Sequence, residues 1–162
     1  MSILAEITEN EIYSLDQIDK DILDVLQKDG RISASSIAQL VGMSVPAIAD
    51  RIKRLQDSGV IMSFTAVLNH RRVGLDVSAF ITVISESSSH YNDVVIEANK
   101  APEVIQCFTT TGNGSHVLLV VTKNMFSLEK LLRTIQSWPG VTRTETQMVL
   151  SSYKNSNVLK IP

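Results

Sequence analysis

The sequence predicts an α+β chain in two parts, a helical N-terminal portion followed by a mixed strand-and-helix remainder. Three observations carry this reading. Apolar residues recur at three- and four-residue spacing up to about residue 57, strand-like apolar runs alternate with shorter helical ones after residue 76, and positive charge gathers where the two patterns meet.

In the first part, "LDQIDKDILDVLQKDGRI" places Leu15, Ile18, Ile22, Leu23, Val25 and Leu26 at helical spacing and stops at Asp29-Gly30, a helix-ending pair. "SASSIAQLVGMS" gives a second helix of about two turns, with Ile37, Ala38, Leu40 and Val41 apolar and Gly42 just past its end. Ser44 is placed to cap a third helix, Pro46 is tolerated in its first turn, and Val45, Ile48, Ile52 and Leu55 form one apolar stripe before Ser58-Gly59. Three helices with a tight Gly-Met-Ser turn between the last two spell a helix-turn-helix, and "VIMSFTAVL" is expected to form the strand of a wing.

"NHRRVG" reads as a hinge or strand turn. Beyond it come a strand in "DVSAFITVIS", a helix in "HYNDVVIEANKAP", strands in "VIQCFTTTG" and "HVLLVVT" around "GNGS", a helix in "FSLEKLLRTIQSWPG" and a strand in "VTRTETQMVLSSY". That β-α-β-β-α-β order is the ferredoxin-like split βαβ, a four-stranded sheet with both helices on one face. The other face would carry apolar side chains from "ITVI" and "LLVV", so a second copy of the chain is expected to cover it. The expected boundaries are 1–62 for the helical head, 63–76 for the linker and 77–162 for the ferredoxin-like module.

Net charge is −2, yet residues 51–72 hold five basic and one acidic residue while residues 1–50 hold three basic and nine acidic. Phosphate responds to local field rather than to total charge, so a basic face on an acidic chain fits a nucleic-acid partner. On a helical wheel Pro46, Ala47, Asp50, Lys53 and Arg54 point away from the apolar stripe. Small residues in the early turn permit close approach to base edges, and Arg or Lys later reach base acceptors or phosphates. With Ser44 and Arg51 they form the expected DNA-binding set; alternatively, Asp50 and Arg54 pair at i, i+4 on a solvated face.

Composition excludes disorder and fibrous repeats, since 44% of residues are hydrophobic, 20% are charged, and Gly and Pro are sparse. The N-terminal stretch lacks a basic leader and its apolar run is interrupted by acidic residues, which predicts a cytoplasmic protein with no membrane partner. The lone Cys107, within "VIQCF", is read as a buried small hydrophobe. His70, His90 and His116 are scattered, no His, Cys or carboxylate group has metal spacing, and neither a nucleophile with its base nor a phosphate loop is present. No metal, cofactor or catalytic residue is expected.

The segments "LDQIDKDILDVLQKDGRIS", "GMSVPAIADRIKRLQDSGVI" and "FTAVLNHRRVGLD", with "CFTTTGNGSHVLLV" and "WPGVTRTETQMVL" further on, resemble the Lrp/AsnC, or feast/famine, family of transcription regulators from Leu15 onward. The resemblance implies a sequence-specific DNA-binding head, a ligand-sensing and dimerising module, dimers that assemble into octamers or similar rings, and amino acids or related small molecules as effectors. It places the effector site on the loop between the second and third strands of the module, here Thr110, Gly112, Asn113, Gly114 and Ser115. One departure stands out: where the family commonly has Gly-x-x-Asp and an aromatic residue, this chain has Gly112-Asn113-Gly114-Ser115-His116. The carboxylate that would hold an effector's amine is absent; Asn-Gly alternatively marks a plain hairpin turn. Two rivals share the architecture. One is an enzyme like the sirohaem decarboxylases, against which stand Thr109, Thr110 and Thr111 where a charged, aromatic string is expected. The other is a ligand-binding module with a vestigial head, against which stand Arg51, Lys53, Arg54, Arg71 and Arg72 together.

Overall fold

The computed structural model describes residues 13–162. Residues 1–12, assigned above to the head, lie outside the described residues. The chain divides into two compact units, one running up to Ala66 and including Asn155–Pro162, the other Val67–Lys154.

In the first unit α1 spans Gln17–Lys28, α2 Ala34–Val41 and α3 Val45–Asp57. Each start is fixed by a side-chain cap. Asp16 accepts from the Asp19 amide while Asp19 accepts from the Asp16 amide, Ser33 accepts from Ser36, and Ser44 accepts from Ala47. The turn between α2 and α3 is set by Gly42, whose φ of 70° lets the Met43 amide reach back to Ala38 O at 3.0 Å. Ile22, Leu23, Ile37, Ala38, Ile48 and Leu55 form the buried core, so one small cluster holds all three helices.

Residues 60–68, expected to form the strand of a wing, carry no strand within the single chain. A strand needs a neighbour to take its amides and carbonyls, and the segment has none among the described residues. Met62, Val67 and Leu68 stay exposed. The last residues, placed above at the end of the 77–162 module, contact the helices of the first unit. Gln27 Nε2 donates to Leu159 O (3.2 Å), the Leu159 amide donates to Gln27 Oε1 (2.6 Å), Lys20 Nζ donates to Pro162 O, and Ile161 packs on the helical core. Burying Ile161 is the apolar gain that draws this tail in.

The second unit opens with a 3-10 turn, His70–Val73, and continues through β1 (Val77–Ser85), α4 (Tyr91–Lys100), β2 (Val104–Thr109), β3 (His116–Thr122), α5 (Met125–Gln136) and β4 (Val141–Met148). The sheet order is β2-β3-β1-β4 with antiparallel neighbours, the ferredoxin-like arrangement that the element order predicts. Alternate residues of β1 and β3 (Ala79, Ile81, Val83, Leu118, Val120) face Val94 and Ala98 of α4 and Leu128, Leu131 and Ile135 of α5, with Trp138 closing the layer. Cys107 is half-buried against this core, and burial pushes its thiol pKa up. The opposite face presents Phe80 and Phe108, both exposed, with half-buried Ile84, Val117 and Leu119. No helix among the described residues is long and apolar enough to cross a membrane.

Candidate nucleic-acid interface and ligand loop

α3 sorts its side chains by what lies beneath them. Ile48 and Leu55 are buried, while Ser44, Pro46, Ala49, Asp50, Lys53 and Arg54 are exposed and Ala47 is half-buried. Ala49 was missing from the expected face, although it stands three residues beyond Pro46 and four before Lys53 and so belongs to the same surface. Arg54 Nε lies 3.4 Å from Asp50 Oδ2, the pairing offered above as the alternative to a DNA contact; both side chains are well exposed, so water and salt weaken it.

Arg51 does not join that surface. Its guanidinium turns inward and donates to Asp16 Oδ2 at 2.6 Å and to Asp19 Oδ1 at 2.7 Å, with the arginine side chain 17% exposed. Both acceptors belong to the capping box of α1, so one cation ties the start of α1 to the middle of α3. The Asp19 amide, followed by the Arg51 guanidinium, holds the Asp16 carboxyl below the usual carboxylate range, and the two carboxylates raise Arg51 in turn. Arg51 is therefore a structural pin of the head, a correction to its expected place among DNA-contacting residues.

The second candidate region is the loop Thr110–Ser115 between β2 and β3. It is a six-residue connection closed by Thr110 N donating to Ser115 O (3.2 Å), not the two-residue turn that Asn-Gly alone suggests. Gly112, at φ 110°, takes a backbone conformation that side chains disfavour. Gly114 is forced by space, because a Cβ there would lie 2.3 Å from Thr82 Cγ2. Thr110, Gly112 and Asn113 are exposed and Gly114 is half-buried. The amides of Gly112, Asn113 and Gly114 donate to no backbone oxygen among the described residues.

Ser115 departs from the expected set. It is buried, its amide donates to Val83 O (2.9 Å), and its hydroxyl bonds Val83 O (3.2 Å), Ser85 Oγ (2.9 Å) and His116 Nδ1 (2.9 Å). It fastens the loop to β1 rather than facing outward. With the Ser115 proton on Val83 O, His116 Nδ1 carries the donated hydrogen, and Nε2 is the bare nitrogen. That nitrogen is fully buried with no partner among the described residues, and the ring meets Tyr91 edge to face at 5.3 Å. Burial pushes the His116 pKa down, because a second proton would place an unpaired charge indoors.

A capped helix-turn-helix joined to a ferredoxin-like module is an architecture that DNA-binding transcriptional regulators use, and the relatives of this chain place it among them. The chain belongs to the Lrp/AsnC family: residues 15–62 match the winged helix-turn-helix DNA-binding family and residues 77–159 the Lrp/AsnC ligand binding domain. It is 38% identical to the HTH-type transcriptional regulator FL11 of Pyrococcus furiosus over 91% of this chain and 97% of that one. It is 33% identical to the leucine-responsive regulatory protein of Escherichia coli over 91% and 92% of the two chains. The solved structure of the feast or famine regulatory protein of M. tuberculosis complexed with L-methionine superposes with a TM-score of 0.85, at 33% identity, over 92% of this chain and all of that one.

Proposed function

We propose that the chain regulates transcription as an assembly of dimers, each of which sets two copies of α3 into successive major grooves about one helical turn apart. Ser44, Pro46, Ala47 and Ala49 let the helix approach the bases, Lys53 and Arg54 reach phosphates or base acceptors, and Asp50 sets the position of Arg54 until DNA displaces it. The observation that carries this reading is the exposed small-then-basic face of α3 behind a turn fixed by Gly42. Replacing Arg54 with Ala should weaken binding to a selected duplex by about 1–3 kcal/mol. Unchanged affinity at ~100 mM salt, where phosphate contacts already respond strongly to ions, would move the interface elsewhere. Pairing between copies is supported by the sheet face around Phe80 and Phe108, and by a segment at 62–68 that has no ladder partner of its own. Sedimentation showing a folded monomer at low micromolar concentration would refute it.

The effector reading is narrower. Thr110, Gly112, Asn113 and Gly114 would present the ligand-facing part of the loop, with Ser115 bracing it from beneath. Two structural relatives, the M. tuberculosis protein and a transcriptional regulator of Neisseria meningitidis, were solved with L-methionine, so an amino acid is the first ligand to try here. Backbone amides favour anions, and this loop offers no carboxylate for an amine. The expected ligand is therefore a carboxylate without a free amine, such as a 2-keto acid, or none, the loop then serving assembly alone. Calorimetry against amino acids and their keto-acid analogues decides it; micromolar binding of an unmodified amino acid would sink the charge argument. A catalytic role finds no support at His116, which is sealed from solvent. A regulator of this kind works in the cytoplasm, where its DNA is.

A further inference from the structure

The charge available for DNA on α3 is smaller than its sequence suggests. Two of its three cations are taken up by carboxylates, Arg51 by Asp16 and Asp19 and Arg54 by Asp50, and the helix carries a further carboxylate in Asp57. Lys53 is the one cation of α3 without an ion-pair partner among the described residues. Duplex binding scales with phosphates neutralised, so cations outside the recognition helix are needed.

Of the seven arginines, Arg51, Arg54, Arg133 and Arg143 each pair with a carboxylate among the described residues, whereas Arg31, Arg71 and Arg72 do not. Two of those three are adjacent, and they sit on the 3-10 turn His70–Val73. That turn is held at both ends. Asn69 Oδ1 accepts from the Arg72 amide (3.4 Å), Gly74 at φ 84° donates to Arg71 O and His70 O, and His70 Nδ1 donates to Leu75 O at 2.7 Å. The backbone is thus fixed by groups other than the arginine side chains, both of which are exposed.

We infer that this turn is a second DNA contact, in which Arg71 and Arg72 grip phosphate oxygens without reading bases. Guanidinium forks suit phosphate geometry, and fixing the turn beforehand lowers the entropic cost of gripping the backbone. The inference rests on the DNA-binding role and adds a contact outside the helix-turn-helix.

The test is titration of the full chain with a selected duplex and a random duplex of equal length between ~50 and ~200 mM salt, for the native chain, Arg71→Ala/Arg72→Ala and Arg71→Lys/Arg72→Lys. The alanine pair should reduce the slope of log affinity against log salt by about 1.8 per copy engaged, which shrinks the affinity change across that salt range roughly tenfold. The preference for selected over random DNA should stay within about twofold, since phosphates carry no sequence, and the lysine pair should keep the native slope. Because only exposed side chains change, thermal melting should not move. An alanine-pair slope equal to native overturns the inference, and so does a collapse of sequence preference, which would make the turn a base reader. A changed assembly size with an unchanged slope would assign the turn to contacts between copies instead. A native chain that binds neither duplex would remove the DNA-binding role itself, an outcome distinct from native binding that the alanine pair leaves intact.

Discussion

The two units solve the problem of a small core differently. Among the described residues, the core cluster of the helical unit buries six apolar residues and adds a charged pin, Arg51 on Asp16 and Asp19, whereas that of the sheet unit buries eleven in one apolar layer with no ion pair within it. The difference teaches that charge in the head has two jobs. A cation that the sequence pattern assigns to the DNA surface holds the fold, and its loss would act on DNA only by way of stability.

The harshest way to break the comparison is to empty the smaller core. Ile48→Ala should cost about 2–5 kcal/mol, since the residue is fully buried at the centre of three helices. Amide exchange should then accelerate across α1–α3 while β1 and β3 keep their protection; equal acceleration everywhere would show that the two cores melt as one. A smaller perturbation tests the loop. Gly114→Ala, with Thr82 Cγ2 in the way of the new methyl, should cost about 1–3 kcal/mol and free the loop from β1, and an unchanged melting temperature would contradict the close approach.

His116 sharpens the contrast through pH. Its folded pKa lies below the unfolded value of about 6.5, so the unfolded chain binds the extra proton first as acid is added. The stability this gives is complete above that pH and is lost as pH falls through it toward the lower folded pKa, with a slope approaching ~1.4 kcal/mol per pH unit. His116→Gln should flatten that component in the sheet unit, and an identical pH dependence in the variant would place the titration elsewhere.

Most of the architecture was legible because local signals agreed with one another: Ser44 and Gly42 punctuate the helices where the apolar stripe starts and stops, and the strand runs alternate with helices in one recognisable order. What the wing segment pairs with was not legible, since "VIMSFTAVL" has strand composition but pairing depends on a neighbour the pattern does not name. The tail at 155–162 was missed because an isolated Ile161 carries no periodicity. Arg51 could have been placed. It lies three residues after Ile48 and four before Leu55, on the apolar stripe itself, and Asp16-x-x-Asp19 has the spacing of a capping box. Ser115 had no such signal, because its burial follows from the approach of β1, a contact between residues about thirty positions apart.

The division of labour between Arg51 and Arg54 is tested by one paired measurement: unfolding stability and the salt slope of duplex binding for Arg51→Ala and Arg54→Ala, at a temperature where both remain folded. Arg51→Ala should lose about 1–2 kcal/mol of stability, because the buried Asp19 carboxylate is left without its partner, and should keep the native slope. Arg54→Ala should stay within about 0.5 kcal/mol of native stability and lower the slope by about 0.9 per copy engaged. If Arg51→Ala instead keeps its stability and lowers the slope, Arg51 leaves the capping box to grip DNA, and the pin described here is not what holds the head together.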